Sequence, residues 1–149
     1  MSANQQKLLE IAQSLIGTPY KYAAKQEDIP KFLDCSSFTQ EIYKRISIEI
    51  PRSTLLQAAR AGREIELTTN NQQLTTKLEV GDLLFFRGSK GHYDDSLFPK
   101  KEIYIGHVAV SAENGKVLHG SSKQGKIVEE NLNELTNKMG GIVMIKRIL

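Results

Sequence analysis

The hydrophobic spacing changes character partway along this chain, and that change limits the architectures open to it. Up to Gly62 the apolar residues recur at helical intervals; from Leu78 onward they form short runs bounded by turn residues. Leu8, Ile11, Ala12, Leu15 and Ile16 predict an amphipathic first helix, with Gly17 as its left-handed terminator and Pro19 as a stop. Residues 17–34 read as loop. A second helix starts at Cys35 with Phe38, Ile42 and Ile46 on one side, capped by Asp34 or Ser36. Pro51 breaks it. "RSTLLQAARAG" then predicts a third, short helix between Ser53 as cap and Gly62 as stop. In the second half "LEVGDLLFFRG", "IYIGHVAVSA", "KVLHGSS", "KIVEE" and "GIVMIKRIL" read as strands, with "ENG" and "KQG" as turns. Helices followed by antiparallel strands predict one α+β domain over residues 1–149. The stretch 88–101 is long and polar for a strand connection and is expected to border a cleft.

Composition removes several function classes. With 40% hydrophobic and 25% charged residues the chain is neither disordered nor fibrous. A net charge of +3 without a basic cluster lacks the footprint expected of a nucleic-acid binder. No apolar run approaches the ~18 residues of a membrane span. The first residues, "MSANQQKLLEIAQSLIG", do not read as a signal peptide.

The single cysteine, Cys35, falls in the first turn of the second helix, where free N–H groups and the helix dipole favour a thiolate. A nucleophilic thiol also needs a base. Of the three histidines, His92 lies in the polar loop without a framing pattern, whereas His107 and His119 lie on successive strands joined by "SAENGKV". A two-residue Asn114-Gly115 loop puts them on opposite faces. A three-residue loop, with Gly115 left-handed, pairs Ala112 with Lys116 and sets His119 opposite Ala109. The imidazoles then share a face, with backbones roughly 7–8 Å apart. A catalytic pair therefore requires the second register. His107 would be general base and His119 would orient it, with the helix-start N–H groups as oxyanion donors. A zinc site on Cys35, His107 and His119 lacks the short local ligand pair such sites usually contain.

"LDCSSF", "IPRST", "LEVGDLLFF", "GHVAV" and "VLHGSS", preceded by "GTPYKY", resemble in order and character the NlpC family of papain-like bacterial cell-wall cysteine peptidases, from about Leu15 to Val128. The resemblance implies a papain-like fold, no cofactor, a Cys35–His107–His119 triad, and cleavage of the γ-D-glutamyl–diamino acid amide of peptidoglycan stem peptides. It further implies a pocket for the substrate's amino-terminal portion lined by Tyr20, Asp34, Ser36 and Ser53, and an extracytoplasmic site of action, with cytoplasmic recycling of wall peptides as the alternative. An amidase at the sugar–peptide bond, an acyltransferase and a catalytically silent wall-binding module are the competing readings. The chain departs from the family pattern at "AAKQEDIP", where Gly-Gly is usual, at Asp-Cys-Ser-Ser in place of Asp-Cys-Ser-Gly, and at the insertion 88–101.

Overall fold

The computed structural model describes residues 1–149 apart from Gln72, Lys90 and Lys100. The helices are α1 (Ala3–Ser14), α2 (Cys35–Lys44), α3 (Thr54–Arg60) and α4 (Leu132–Met139). The strands are β1 (Arg63–Ile65), β2 (Thr69–Asn70), β3 (Gln73–Leu74), β4 (Leu83–Phe86), β5 (His107–Ser111), β6 (Lys116–Ser121), β7 (Lys126–Asn131) and β8 (Ile142–Arg147). Six strands form an antiparallel sheet in the order β1-β8-β4-β5-β6-β7, and β2 and β3 form a separate hairpin. The α+β class is as expected. Three elements carry too weak a pattern to have been predicted: the short strand β1, the β2–β3 hairpin and α4.

Alternation along the strands sends side chains to two cores. Leu83, Phe85, Val108, Val110, Leu118, Ile127 and Met144 meet Leu8, Leu9 and Ala12 of α1 and Phe38 and Ile42 of α2. On the other face Leu84, Phe86, Ala109, Val117 and Ile145 meet Leu135 of α4. The first helix buries Leu8, Ala12 and Leu15 as expected, but its buried face is shifted: Leu9 is buried too, whereas Ile11 is only half-buried and Ile16 is 46% exposed. The reason is that α1 ends at Ser14, so Ile16 lies beyond the helical turn that would have aimed it inward.

Side chains at two points fix α2 on the sheet. Tyr43, near its C-terminal end, is fully buried and donates its hydroxyl to the Gly81 carbonyl at 2.5 Å, just before β4. Removing that donor leaves a buried carbonyl unpaired, so Tyr43→Phe should lower stability by about 1–3 kcal/mol in urea titration. An unchanged midpoint would mean the bond contributes nothing net. The other point is the helix start, where the site lies. The insertion 88–101 is anchored too: Phe98 within it, and Ile103 and Ile105 just after it, are buried in the α1–α2 core. His92 and Ile105 exchange backbone hydrogen bonds at 2.9 Å, so this segment leads directly into His107.

Candidate active site

The start of α2 is tied down by charge. Asp34 is the N-cap, its Oδ1 accepting from Ser37 N at 2.8 Å while Ser37 Oγ accepts from Asp34 N at 2.8 Å. Arg52, in the lead-in to α3, donates to Asp34 Oδ2 (2.8 Å), Ser36 Oγ (2.8 Å) and the Ala24 carbonyl (2.7 Å). One guanidinium thereby joins the 17–34 loop, the helix start and the approach to α3, a task suited to its rigid fork of donors. Burial alone would raise the Asp34 pKa, but Arg52 and Ser37 hold it below the usual carboxylate range.

Cys35 is the first residue of α2 and is half-buried. Its Sγ lies 3.5 Å from Thr54 Oγ1. Burial pushes the thiol up; Thr54 and the backbone of Val108 and Ser36 only partly counter it. Here the physical expectation from the sequence is corrected. The helix start does offer N–H groups to the sulfur, but desolvation outweighs them and the resting group is a thiol.

The β5–β6 turn combines both loop forms weighed above. Asn114 and Gly115 each have positive φ (57° and 70°), and Lys116 N donates to the Glu113 carbonyl at 3.1 Å, closing a two-residue turn. Ala112 N also donates to the Lys116 carbonyl at 2.9 Å, so Ala112 and Glu113 both oppose Lys116 and form a bulge. The extra residue moves the register to Ser111↔Val117 and Val110↔Leu118. That is the register with the two histidines on one face, reached by a tight turn plus a bulge. His107 Nε2 and His119 Nδ1 are 2.9 Å apart, with the rings edge-on at 89°.

The residues that follow the two histidines touch the start of α2. The Val108 backbone lies near enough to Sγ to favour its charged form. Gly120 abuts the Asp34–Cys35 peptide so closely that a Cβ there would lie 3.0 Å from Asp34 C and 3.1 Å from Cys35 N. The chain thus brings Cys35, His107 and His119 into one neighbourhood. Behind His119, its Nε2 is 2.5 Å from Glu130 Oε1, and Glu130 Oε2 accepts from Lys138 Nζ of α4 at 2.8 Å. Burial, then the neighbouring His119, holds the His107 pKa down to about 3; Glu130 opposes this. His119 is likewise depressed by burial against the pull of Glu130. Burial would raise Glu130, but Lys138 and His119 hold it below its ordinary value. At neutral pH the arrangement is a neutral thiol, two neutral imidazoles, a carboxylate and an ammonium. Such a set can move a proton from sulfur to imidazole and spread the resulting positive charge toward an anion.

Of the other residues expected here, Tyr20 is half-buried near the thiol and Asp34; burial, then these two groups, raises its pKa to about 12. Ser36 is buried and bonded to Arg52 and Asp34. Ser53 caps α3, accepting from Leu56 N at 3.1 Å, and is exposed. Arg52, Thr54, Gly120 and Glu130 were not anticipated. Glu130 had a signal: a four-residue turn at 122–125 pairs His119 with Val128 and Val117 with Glu130, on the same face.

A helix that begins on a cysteine, packed on an antiparallel sheet whose adjacent strands carry two hydrogen-bonded histidines, defines a papain-like α+β domain. The model of the NlpC/P60 family matches residues 17–140, and the chain belongs to that family. It is 27% identical over 128 residues to a "probable endopeptidase" of Corynebacterium glutamicum, covering 86% of this chain and 48% of that protein. The chain therefore spans about half the length of this curated relative. The fold matches that of NlpC1 from Trichomonas vaginalis with a TM-score of 0.71 at 19% identity, covering 99% of this chain and 45% of that one. The NlpC/p60 domain of the peptidoglycan hydrolase SagA matches with a TM-score of 0.68 at 22% identity, covering 97% and 99%. RipD of Mycobacterium tuberculosis, a non-catalytic NlpC/p60 domain protein, matches with a TM-score of 0.65 at 18% identity over 100% of both chains.

Proposed function

We propose that this domain is a cysteine peptidase acting on peptidoglycan stem peptides, at the amide between γ-D-glutamate and the diamino acid. The observation that carries the reading is the His107–His119 hydrogen bond on strands whose next residues, Val108 and Gly120, lie against the Cys35 thiol and its peptide. His107 takes the thiol proton as sulfur attacks the carbonyl, and N–H groups around the start of α2 hold the oxyanion. The C–N bond breaks, the departing amine takes the proton from His107, and water then hydrolyses the thioester to release the acid and restore the thiol. Among the described residues the thiol is bonded to Thr54 and His107 to His119, so no thiol–imidazole hydrogen bond is formed at rest; such catalytic bonds commonly tighten only with substrate in place.

Tyr20, Asp34, Ser36 and Ser53 are proposed to line the pocket for the substrate's amino-terminal portion. The geometry ranks them. Arg52, Ala24 N, Ser37 N and Ser36 Oγ already occupy the Asp34 acceptor positions. Among the described residues, the Tyr20 and Ser53 hydroxyls have no acceptor, so these two are the ready donors. A wall substrate implies action outside the cytoplasm; no helix is long and apolar enough to cross a membrane among the described residues.

The test is mass spectrometry of products after incubating the protein, and Cys35→Ala, with intact peptidoglycan and with soluble stem peptides. Cleavage between D-glutamate and the diamino acid, lost in the variant, is expected. Release of whole stem peptides would move the assignment to an amidase. Binding to peptidoglycan without any product would place the domain beside RipD, whose fold it shares.

A further inference from the structure

His119 would ordinarily be the last member of such a site, yet here it stands between His107 and a buried carboxylate. We propose that Glu130, held by Lys138, is a positioning residue that sets the tautomers of both histidines and fixes which nitrogen of His107 faces the reaction as a base. This rests on the hydrolase reading above for its kinetic consequences, though not for the tautomers themselves.

Donor and acceptor counts fix where each hydrogen sits. An ionised carboxylate only accepts hydrogen bonds. Glu130 is ionised: Oε2 receives the Lys138 ammonium at 2.8 Å. Its Oε1, 2.5 Å from His119 Nε2, must therefore receive that N–H. A neutral His119 is then left with a lone pair on Nδ1. His107 Nε2, 2.9 Å away, must carry a hydrogen to satisfy it. The lone pair of His107 is consequently on Nδ1, which becomes its basic atom. Without Glu130 no side chain in this chain of contacts selects between the two tautomers of either ring, and only the Gly120 backbone contact to His119 remains. The carboxylate also supplies the negative charge nearest the developing imidazolium, relayed through two hydrogen bonds. His119 is 2% exposed and Glu130 9%, so water is a poor substitute for either contact. Lys138 stands at the solvent end of the relay with 46% of its side chain exposed.

The test pairs Glu130→Gln with Glu130→Leu. A glutamine keeps an oxygen that can accept from His119 and loses the charge; the exposed Lys138 can turn to solvent. Leucine removes both. Nitrogen-15 shifts of the imidazoles at neutral pH should show Nε2–H on His107 and His119 in the wild-type protein and in Glu130→Gln, and mixed tautomers in Glu130→Leu. On a stem-peptide substrate kcat should fall about tenfold in the glutamine variant and roughly 100-fold in the leucine variant, with KM little changed. Wild-type tautomers in a folded Glu130→Leu, or full turnover in either variant, would overturn the proposal. If leucine prevents folding, Glu130→Gln alone decides: undiminished kcat overturns it. If the wild-type protein cleaves no stem peptide, the hydrolase reading fails while the imidazole spectra still decide the relay.

Discussion

His107→Gln should lower kcat/KM on a stem-peptide substrate by roughly 10²–10⁴ and at the same time make the fold less sensitive to acid. The first effect follows from the state of the thiol. Burial raises the Cys35 pKa, so little thiolate exists at neutral pH and the nucleophile must be made during the reaction by an adjacent base. Glutamine keeps a donor for His119 Nδ1 but cannot take the proton. The second effect follows from linkage. The folded protein holds His107 down to about 3, against an ordinary 6.5, so the folded state refuses a proton that the unfolded chain accepts. Stability from this group is fully present above pH 6.5 and is lost as pH falls from there toward 3. His119 adds to the loss in the same direction and remains in the variant. Urea midpoints at pH 7 and pH 4.5 should therefore fall further in the wild-type protein than in His107→Gln. Equal falls would show that His107 is not buried neutral. Iodoacetamide labelling gives an independent reading: the rate at Cys35 should keep rising with pH beyond the ordinary thiol range. Fast labelling at pH 6 would indicate a preformed thiolate–imidazolium pair and contradict the neutral resting state.

Gly120→Ala should cost about 1–3 kcal/mol and reduce turnover by up to about 100-fold, although residue 120 has no chemistry of its own. The contact a methyl group would make is with backbone, 3.0 Å from Asp34 C and 3.1 Å from Cys35 N, and neither atom can swing aside. Relief must come from lifting the start of α2 off β6. That movement carries the thiol away from His107 and strains the bonds from Arg52 to Asp34 and Ser36. The effect should appear mainly in kcat, with a lower thermal midpoint, and the drop in midpoint should be far larger than that of Gly141→Ala, where nothing lies within 4 Å of a Cβ and the backbone is not left-handed. A Gly120→Ala protein with wild-type midpoint and turnover would show that the helix start is free to move.

Two kinds of information separate cleanly in this chain. Local rules in the sequence were enough for the five long strands, for α2 and α3 with their Asp34 and Ser53 caps, and for the α+β class, because periodicity, capping and turn chemistry act between residues close in the chain. They also reduced the histidine question to a choice of hairpin register. Tertiary structure was needed to show how that register arises, since Asn114 and Gly115 prefer the two-residue turn and only the bulge at Ala112 and Glu113 returns the imidazoles to one face. It alone decided the titration state of Cys35, because a helix start and desolvation pull in opposite directions and burial depends on everything packed above the sulfur. It alone brought Arg52 to Asp34, and Lys138 of α4 to Glu130, pairings between segments whose own patterns say nothing of each other. The physical reason is range: hydrogen bonds of turns and caps are encoded by neighbours, whereas a buried charge is set by partners that only the packed fold supplies.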